Sequence, residues 1–406
     1  MKNWRTVAVC TGLMTLLIAC GGNPYTCKGR PYAKPGASKA PGKGTAADKK
    51  NQSPEATGVT PGPAPEAGGD TTSQNVVPDL SPSPWLNTKG NKIYTENGDI
   101  FRGRGANIHD TRSCNACTWT PPDVAEVKRR IDTLVDGWGA NFLRLLVESY
   151  DEAQGRVHYA GVLKDPDYLQ DLVEIVRYIG TKKNTYVLVS LWTEPTADQN
   201  GWPTEKTNQV WQTLAKALIQ FPHVMFGVIN EPHGNWNGEN DQKIWKRMND
   251  VVREIRAVEK EHRSPKHIVA VQGTRRFARH LGYYVDHPIK AGNGENIVYE
   301  SHSYLRPQEF TENWAGPAEK IPVIIGEFGP ADLGAGFKMT VEHTIELIDL
   351  AEKMDIPWLA WTFHMRCNPN LIEDNSGGSC GKNMKLVPTE WGKKIQKKLS
   401  TPWSSN

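Results

Sequence analysis

Eight short apolar runs, separated by longer stretches with helical periodicity, constrain this chain more than any other feature. The runs fall near Phe101 to Asn107, Asn141 to Val147, Thr185 to Leu191, Val224 to Ile229, His267 to Val271, Asn296 to Tyr304, Pro322 to Gly326 and Pro357 to Phe363, and each reads as a buried strand. Between them, "PPDVAEVKRRIDTLVDGWG" opens on Pro and Asp and closes on Gly, and "DPDYLQDLVEIVRYIGTKKN" repeats that layout around a helix-period apolar face. Further helices are predicted over Thr204 to Gln220, Asn240 to His262, Phe337 to Met354 and Thr389 to Leu399, while the connections after the fifth and sixth runs carry weaker signals. Eight strands with helical connections over about 300 residues favour an α/β chain closed as a (β/α)8 TIM barrel over an open doubly wound sheet. No GxGxxG follows a strand, which removes the main signature of a nucleotide fold. The "KGN" and "ENGD" turns within "WLNTKGNKIYTENGDIFRGRGANI" predict an N-terminal β-hairpin leading into the first run.

The N-terminal part obeys different rules. Lys2 and Arg5 precede an apolar stretch from Val7 to Ala19 that is too short to span a bilayer and has the layout of a secretory signal. It ends in "LIAC", which resembles the lipobox of bacterial lipoproteins, in which the Cys, here Cys20, becomes the lipidated first residue. An ordinary signal with a coincidental Cys is the alternative. Gly, Pro, Ala, Ser, Thr and Lys then dominate as far as Leu80, a composition with almost nothing to form a core. Three segments result: a lipoprotein signal over 1–19, a flexible, disordered tether over 20–80, and a barrel domain over 81–406. Such a chain is expected to be exported, and either anchored to an outer membrane or cell surface through its N-terminal lipid or secreted. The net charge of +3 is small for 406 residues and its basic groups are scattered, so nucleic acid is not an expected partner.

Seven Cys suit an exported protein. Cys10 lies in the signal, Cys20 at the lipobox and Cys27 alone in the tether, which leaves two pairs. Cys114 and Cys117 form "CNAC", and Cys367 and Cys380 bracket a Gly- and Asn-rich loop, so a disulfide in each loop is expected. A four-Cys zinc site is the alternative, although the second pair lacks metal-knuckle spacing.

In a barrel of this kind the strand ends at the C-terminal face build the active site, so the polar residue terminating each run matters most. The fourth run, "VMFGVINEPHG", ends in Asn230 and Glu231, and the seventh, "IPVIIGEFG", in Glu327. The sixth, "IVYESHSY", ends in His302 and Tyr304, the second carries Arg144 in "NFLRLL", and the eighth carries Trp361 in "LAWTFH". Two carboxylates facing each other across a barrel mouth are the equipment for glycoside hydrolysis, one donating a proton to the leaving oxygen and the other attacking the anomeric carbon or activating water. A single Glu at a strand end serves equally well as a helix cap or a loop ion pair. Arg144, His302, Tyr304 and Trp361 each admit a packing role as well. Glu194 and Glu148 are rival carboxylates, and Glu300 shares a strand face with His302 and Tyr304, as a buried partner beneath them would.

Together, "INEP", "IGEFG", "SHSY" and "WTF" resemble glycoside hydrolase family 5, the cellulase-like family of retaining (β/α)8 barrels, over about Trp85 to Leu399. The resemblance implies Glu231 as acid/base and Glu327 as nucleophile. It also implies that Asn230 holds the sugar 2-hydroxyl, Arg144 and Tyr304 position Glu327 and keep it ionised, His302 completes the network, and Trp361 floors the subsite. Arg144 is then expected to lower the Glu327 pKa, and a drier setting beside a like charge to raise that of Glu231. Many members carry His where the third run here offers Trp192, a ring that would stack on a sugar or narrow the cleft. Trp202, Trp236, His109, His233 and His364 are further cleft candidates. Fourteen Trp suit a sugar-binding surface, although most Trp in any protein are core.

The resulting reading is a monomeric retaining endo-β-glycosidase that acts on β-1,4-glucan or a related polysaccharide and needs no metal or cofactor. Mannanase or exo-β-glucanase action, or glycan binding on an inactive barrel, are the alternatives.

Overall fold

The structure, a computed structural model, describes residues 83–111, 123–148, 161–192, 200–332, 338–375 and 384–403. The signal, the whole tether with Cys20 and Cys27, and Cys114, Cys117, Cys380 and Glu194 lie outside those residues. Cys367 is buried and disulfide-bonded to a partner that also lies outside them.

A hairpin of β1 (Leu86–Lys89) and β2 (Lys92–Thr95) comes first, paired antiparallel from Leu86 opposite Thr95 to Lys89 opposite Lys92. The barrel strands follow: β3 (Arg104–His109), β4 (Phe142–Val147), β5 (Tyr186–Leu191), β6 (Val224–Gly227), β7 (Val269–Gln272), β8 (Ile297–His302) and β9 (Val323–Glu327). After a small ribbon of β10 (Ala331–Asp332) and β11 (Lys338–Met339), β12 (Trp358–Ala360) pairs with both β9 and β3 and closes the eight-stranded parallel barrel. Every residue of β4 to β9 is buried, as parallel strands covered on both faces require.

The helices are α1 (Val124–Asp132), α2 (Pro166–Gly180), α3 (Glu205–Leu218), α4 (Asp241–Glu261), α5 (Gly282–Asp286), α6 (Val341–Lys353) and α7 (Glu390–Ser400). Their starts are set by side chains that satisfy orphan amides: Asp123 accepts from Glu126 N, Asp165 from Asp167 N and Tyr168 N, Thr340 from His343 N, and Thr389 from Gly392 N. Each cap contributes about 1 kcal/mol. The inward stripe of each long helix joins one core layer with the outer faces of the strands, including Leu172, Ile175 and Ile179 of α2 and Ile244, Met248 and Val251 of α4.

A second cluster fills the barrel's N-terminal end. Leu86 and Ile93 of the hairpin, with Phe101, pack on Phe142, Tyr186, Met225, Ile268, Val298 and Ile324. Phe142 and Tyr186 are the first residues of their strands, so the hairpin and Phe101 plug the end opposite the strand termini. The first strand therefore starts at Arg104, later than the predicted Phe101, because Phe101 belongs to the plug. The fourth ends at Gly227, although Val228 N still bonds to Ala270 O and carries the pairing onward. The fifth crossover holds only the five-residue α5, and the sixth a series of turns over Pro307–Glu309, Thr311–Ala315 and Pro317–Glu319, where Pro307, Gly316 and Pro317 interrupt helical periodicity. The other predicted helices agree with the structure to within a few residues. No helix among the described residues is long and apolar enough to cross a membrane.

Candidate active site

Arg144 sits in the middle of β4 with its side chain wholly inside the barrel. Burying a guanidinium costs several kcal/mol unless its donors are met. Here Nη1 donates to Asn107 Oδ1 (2.9 Å) and Glu327 Oε1 (2.6 Å), Nη2 to Ser190 Oγ (3.0 Å) and Asn230 Oδ1 (2.8 Å), and Nε lies 3.0 Å from Glu300 Oε1. One side chain thereby fixes groups from β3, β5, β8, β9 and the end of β6.

Glu327 closes β9, and its second oxygen accepts from the Tyr304 hydroxyl at 3.2 Å. Glu231 follows β6 with a left-handed backbone (φ 51°), held by a 2.5 Å bond from its N–H to Gln272 Oε1. A non-glycine residue at positive φ is strained, and such strain gathers at functional sites. His302, the last residue of β8, lies between the two carboxylates: Nδ1 is 3.1 Å from Glu231 Oε1 and 3.4 Å from Glu327 Oε1, and Nε2 is 3.0 Å from Glu300 Oε1. Gln272 accepts from Glu231 through its oxygen, so its amide nitrogen is turned towards Glu300 and His302.

The titration of the cluster follows from complete burial. Burial alone pulls the His302 pKa down, but the Glu327 charge and the bonds to Glu231 and Glu300 outweigh it and carry it up to about 9, so both ring nitrogens hold protons at neutral pH. Burial pushes Glu300 up, and the Arg144 charge together with the His302 and Gln272 bonds brings it below the ordinary range. Glu327 differs from the sequence expectation. Arg144 does pull it down, as does His302, but burial is the larger influence, Glu231 and Glu300 add like charge, and its pKa rises to about 7.

Beside this cluster, Leu146, Trp192, Tyr304, Trp361 and Cys367 form a separate apolar group. Trp192 stacks on Trp361 at 5.8 Å and 22°, so the two predicted sugar platforms face each other. His109 meets the edge of Trp361 at 5.5 Å and of His364 at 4.9 Å. His364 is held well below the ordinary histidine range, first by burial and then by the His109 and Arg130 charges.

The structure thus brings together Glu231, Glu327, Arg144, Asn230, His302 and Tyr304, with Trp192 and Trp361 alongside. Glu300 lies beneath them as a buried partner. Trp202 braces the loop after Glu231 by donating from Nε1 to His233 O at 2.6 Å. Glu148 is buried, and its N–H bonds to the Tyr168 hydroxyl. Trp236 is 54% exposed at the rim. Sequence reasoning missed Gln272, Ser190 and Asn107. Gln272 is the polar residue that ends the fifth strand, so the rule that found Glu231 and Glu327 extends to it once the strand is read one residue further. The oxygens of Glu231 and Glu327 and a His302 nitrogen lie within 4.8 Å of one another, a set of types that can hold a divalent cation. Nδ1 and Nε2 of His302 each lie within hydrogen-bond reach of a carboxylate, and Nε2 is also 2.9 Å from Gln272 Nε2.

Residues 94–366 match the family described as Cellulase (glycosyl hydrolase family 5). An endoglucanase of Clostridium saccharobutylicum is 22% identical over 232 residues, covering 56% of this chain and 47% of that protein, so the chain spans about half the length of this curated relative. Among solved structures, the catalytic domain of a Thermobifida fusca endoglucanase superposes with a TM-score of 0.60 at 19% identity, covering 79% of this chain and 98% of that one. A β-glucanase of Saccharophagus degradans gives 0.59 at 22%, covering 78% and 92%, and a β-mannanase of Streptomyces thermolilacinus gives 0.56 at 17%, covering 77% and 93%. These structural likenesses establish the barrel, and the family match over most of the chain establishes more: the chain belongs to glycoside hydrolase family 5.

Proposed function

We propose that the chain cleaves internal bonds of a β-1,4-glucan or closely related polysaccharide with retention of configuration, through double displacement by Glu231 and Glu327. The observation that carries this reading is that one Glu231 oxygen and one Glu327 oxygen lie within 4.8 Å of each other, both beside His302 Nδ1, which leaves little room for a water between them. Retaining enzymes set the pair about 5 to 5.5 Å apart, whereas inverting ones leave about 6.5 to 9.5 Å for a water.

In the first step a Glu327 oxygen bonds to the anomeric carbon while the glycosidic oxygen leaves with the proton of Glu231. In the second, Glu231 takes a proton from water, the water oxygen bonds to the anomeric carbon, and the Glu327 ester breaks. The carboxylate pair carries one negative charge before, between and after these steps. Arg144 and His302 face that charge throughout and need no rearrangement as it moves, which is the economy of a preorganised site. Asn230, fixed through its oxygen by Arg144, is assigned to the sugar 2-hydroxyl.

The test is the anomeric configuration of the first product by proton NMR, combined with azide rescue. E327A with azide is expected to yield the α-glycosyl azide and E231A the β-glycosyl azide. E231A should also lose about 10²- to 10⁴-fold in rate on substrates with poor leaving groups. Inverted product from the wild-type enzyme overturns the mechanism. A panel of β-1,4-glucan, mannan, xyloglucan and β-1,3-glucan sorts the substrate, and activity confined to α-linked glycans overturns the reading as a whole.

The sequence of residues 1–80 supports a further part of this proposal, export and lipidation at Cys20, with the barrel working as a monomer on a flexible tether.

A further inference from the structure

We infer that Arg279, on the loop after β7, forms an anion-reading subsite on the leaving-group side of the cleft and takes the carboxylate or sulfate of an acidic sugar residue. The inference rests on the assignment of Glu231 as general acid.

A general acid faces the leaving oxygen, so side chains reached from Glu231 in the direction away from Glu327 border the leaving group. His233 is two residues on, and its ring stacks on Phe277 at 5.1 Å and 11°. Trp236 meets Phe277 edge-on at 5.8 Å and is 54% exposed, a flat apolar face open to solvent. The Arg279 guanidinium carbon lies 5.9 Å from the centre of the same Phe277 ring. Aromatic faces of this kind take pyranose rings, and a guanidinium beside them adds a charged, two-pronged donor.

Arg279 is unusual among the buried arginines. It is 7% exposed and its Nε is wholly shielded, yet its guanidinium makes no hydrogen bond or ion pair among the described residues. Arg144 (0% exposed) and Arg256 (7%) also have an Nε without a hydrogen bond, but each has carboxylates, Glu327 and Glu300 for the first and Glu259 for the second. Arg275, four residues before Arg279, is committed to Asp241. A cation withdrawn from water without a counter-charge is unfavourable, and an anionic ligand would supply what the protein does not.

The backbone supports the placement. Arg276, Phe277 and Ala278 have successive φ values of 56°, 56° and 62°, three left-handed non-glycine residues in a row. That strained turn is secured by bridges between Gly273 and Ala278 and between Arg275 and His280, and by Arg276 N donating to Asn235 O at 3.1 Å. Ala278 O accepts from His302 N at 3.3 Å, and Arg279 O accepts from Ser301 Oγ at 2.9 Å. The loop is thereby sewn to the strand end that carries His302, with Arg279 at the catalytic rim. The Arg276 side chain, which makes no hydrogen bond or ion pair among the described residues, adds a second positive charge to the turn.

Carboxymethylcellulose and hydroxyethylcellulose share a β-1,4-glucan backbone and differ in charge, so they isolate the effect. In R279Q the ratio of kcat/KM for carboxymethylcellulose to that for hydroxyethylcellulose is expected to fall about 10-fold, through KM, with partial recovery in R279K. Equal loss on both polymers, or no change in the ratio, overturns the subsite. Should R279Q fail to fold, the wild-type ratio decides: it falls with added salt if the subsite is real, and a salt-independent ratio overturns it. Should the wild-type enzyme hydrolyse neither polymer, the proposed substrate falls but the subsite is still tested, by retardation of E327Q in gels containing each polymer. Stronger retardation by carboxymethylcellulose that R279Q abolishes supports it, and equal retardation by both polymers overturns it.

Discussion

Arg144 and His302 set two buried cations against the three carboxylates of Glu231, Glu300 and Glu327, and that imbalance decides how the site titrates. Glu300 is pulled below the ordinary range, whereas burial holds Glu327 up at about 7. The nucleophile attacks as the ionised carboxylate, so kcat/KM is expected to rise as pH rises through about 7. His302 is charged up to about 9 and pulls Glu327 down. Replacing it by neutral Gln removes that pull, raises the Glu327 pKa and moves the acid limb to higher pH, alongside a lower kcat. A pH series of kcat/KM for H302Q and the wild type checks this, and a limb that stays in place or moves down contradicts it. At this scale the chain was partly legible. Glu231 and Glu327 stand out because each ends an apolar run, whereas Ser190 lies inside a run and is indistinguishable from a chance polar residue, and Asn107 closes the first run but is uncharged and has no matching motif beside it. The titration was misjudged because it depends on burial, which a sequence does not display, more than on the neighbour Arg144, which it does.

Among the elements, β9 shows how closely strand packing and catalysis are joined. Gly326 precedes Glu327, and a Cβ built there would lie 2.0 Å from Glu300 Oε1 and 2.6 Å from its Cδ and Cγ. Its backbone is not left-handed, so space alone demands glycine. Glu300 cannot swing aside without releasing Arg144 and His302. G326A is therefore expected to cost about 1 to 3 kcal/mol in denaturant unfolding and more than about 10-fold in kcat, the range for overpacking a filled interior. Gly137 provides the control, since a Cβ there meets only a Thr133 methyl at 3.9 Å, and G137A should leave both quantities nearly unchanged. Equal behaviour of the two variants would refute the argument. The alternation of strands and helices was readable because burial on both faces leaves uninterrupted apolar runs. The crossovers after β7 and β8 were not, because tertiary contacts rather than periodicity hold their short helix and turns, and the loop bearing Arg279 lies in one of them.

The whole molecule separates support from chemistry along the barrel axis. The described chain begins at the end away from the catalytic mouth, where Ser83 Oγ donates to Thr185 O and the Tyr186 hydroxyl donates to Pro84 O, both at the start of β5. The hairpin then plugs that end, while Glu231, His302 and Glu327 gather at the strand termini. Among the described residues, the bonds that position the carboxylates come from Asn107 onward. The composition of those residues, a short apolar signal ending at "LIAC" and a Pro- and Gly-rich stretch, speaks to location and not to chemistry. Under the proposed lipidation, C20S should lose incorporation of labelled palmitate and pass from the membrane fraction to the soluble one. Its kcat/KM on a soluble polysaccharide should stay within about twofold of wild type, because the chemistry assigned to Glu231 and Glu327 rests on side chains from Asn107 onward. Retained label and membrane association in C20S would refute the anchor, and a large loss of kcat/KM in properly folded C20S would show that the tether takes part in the site after all.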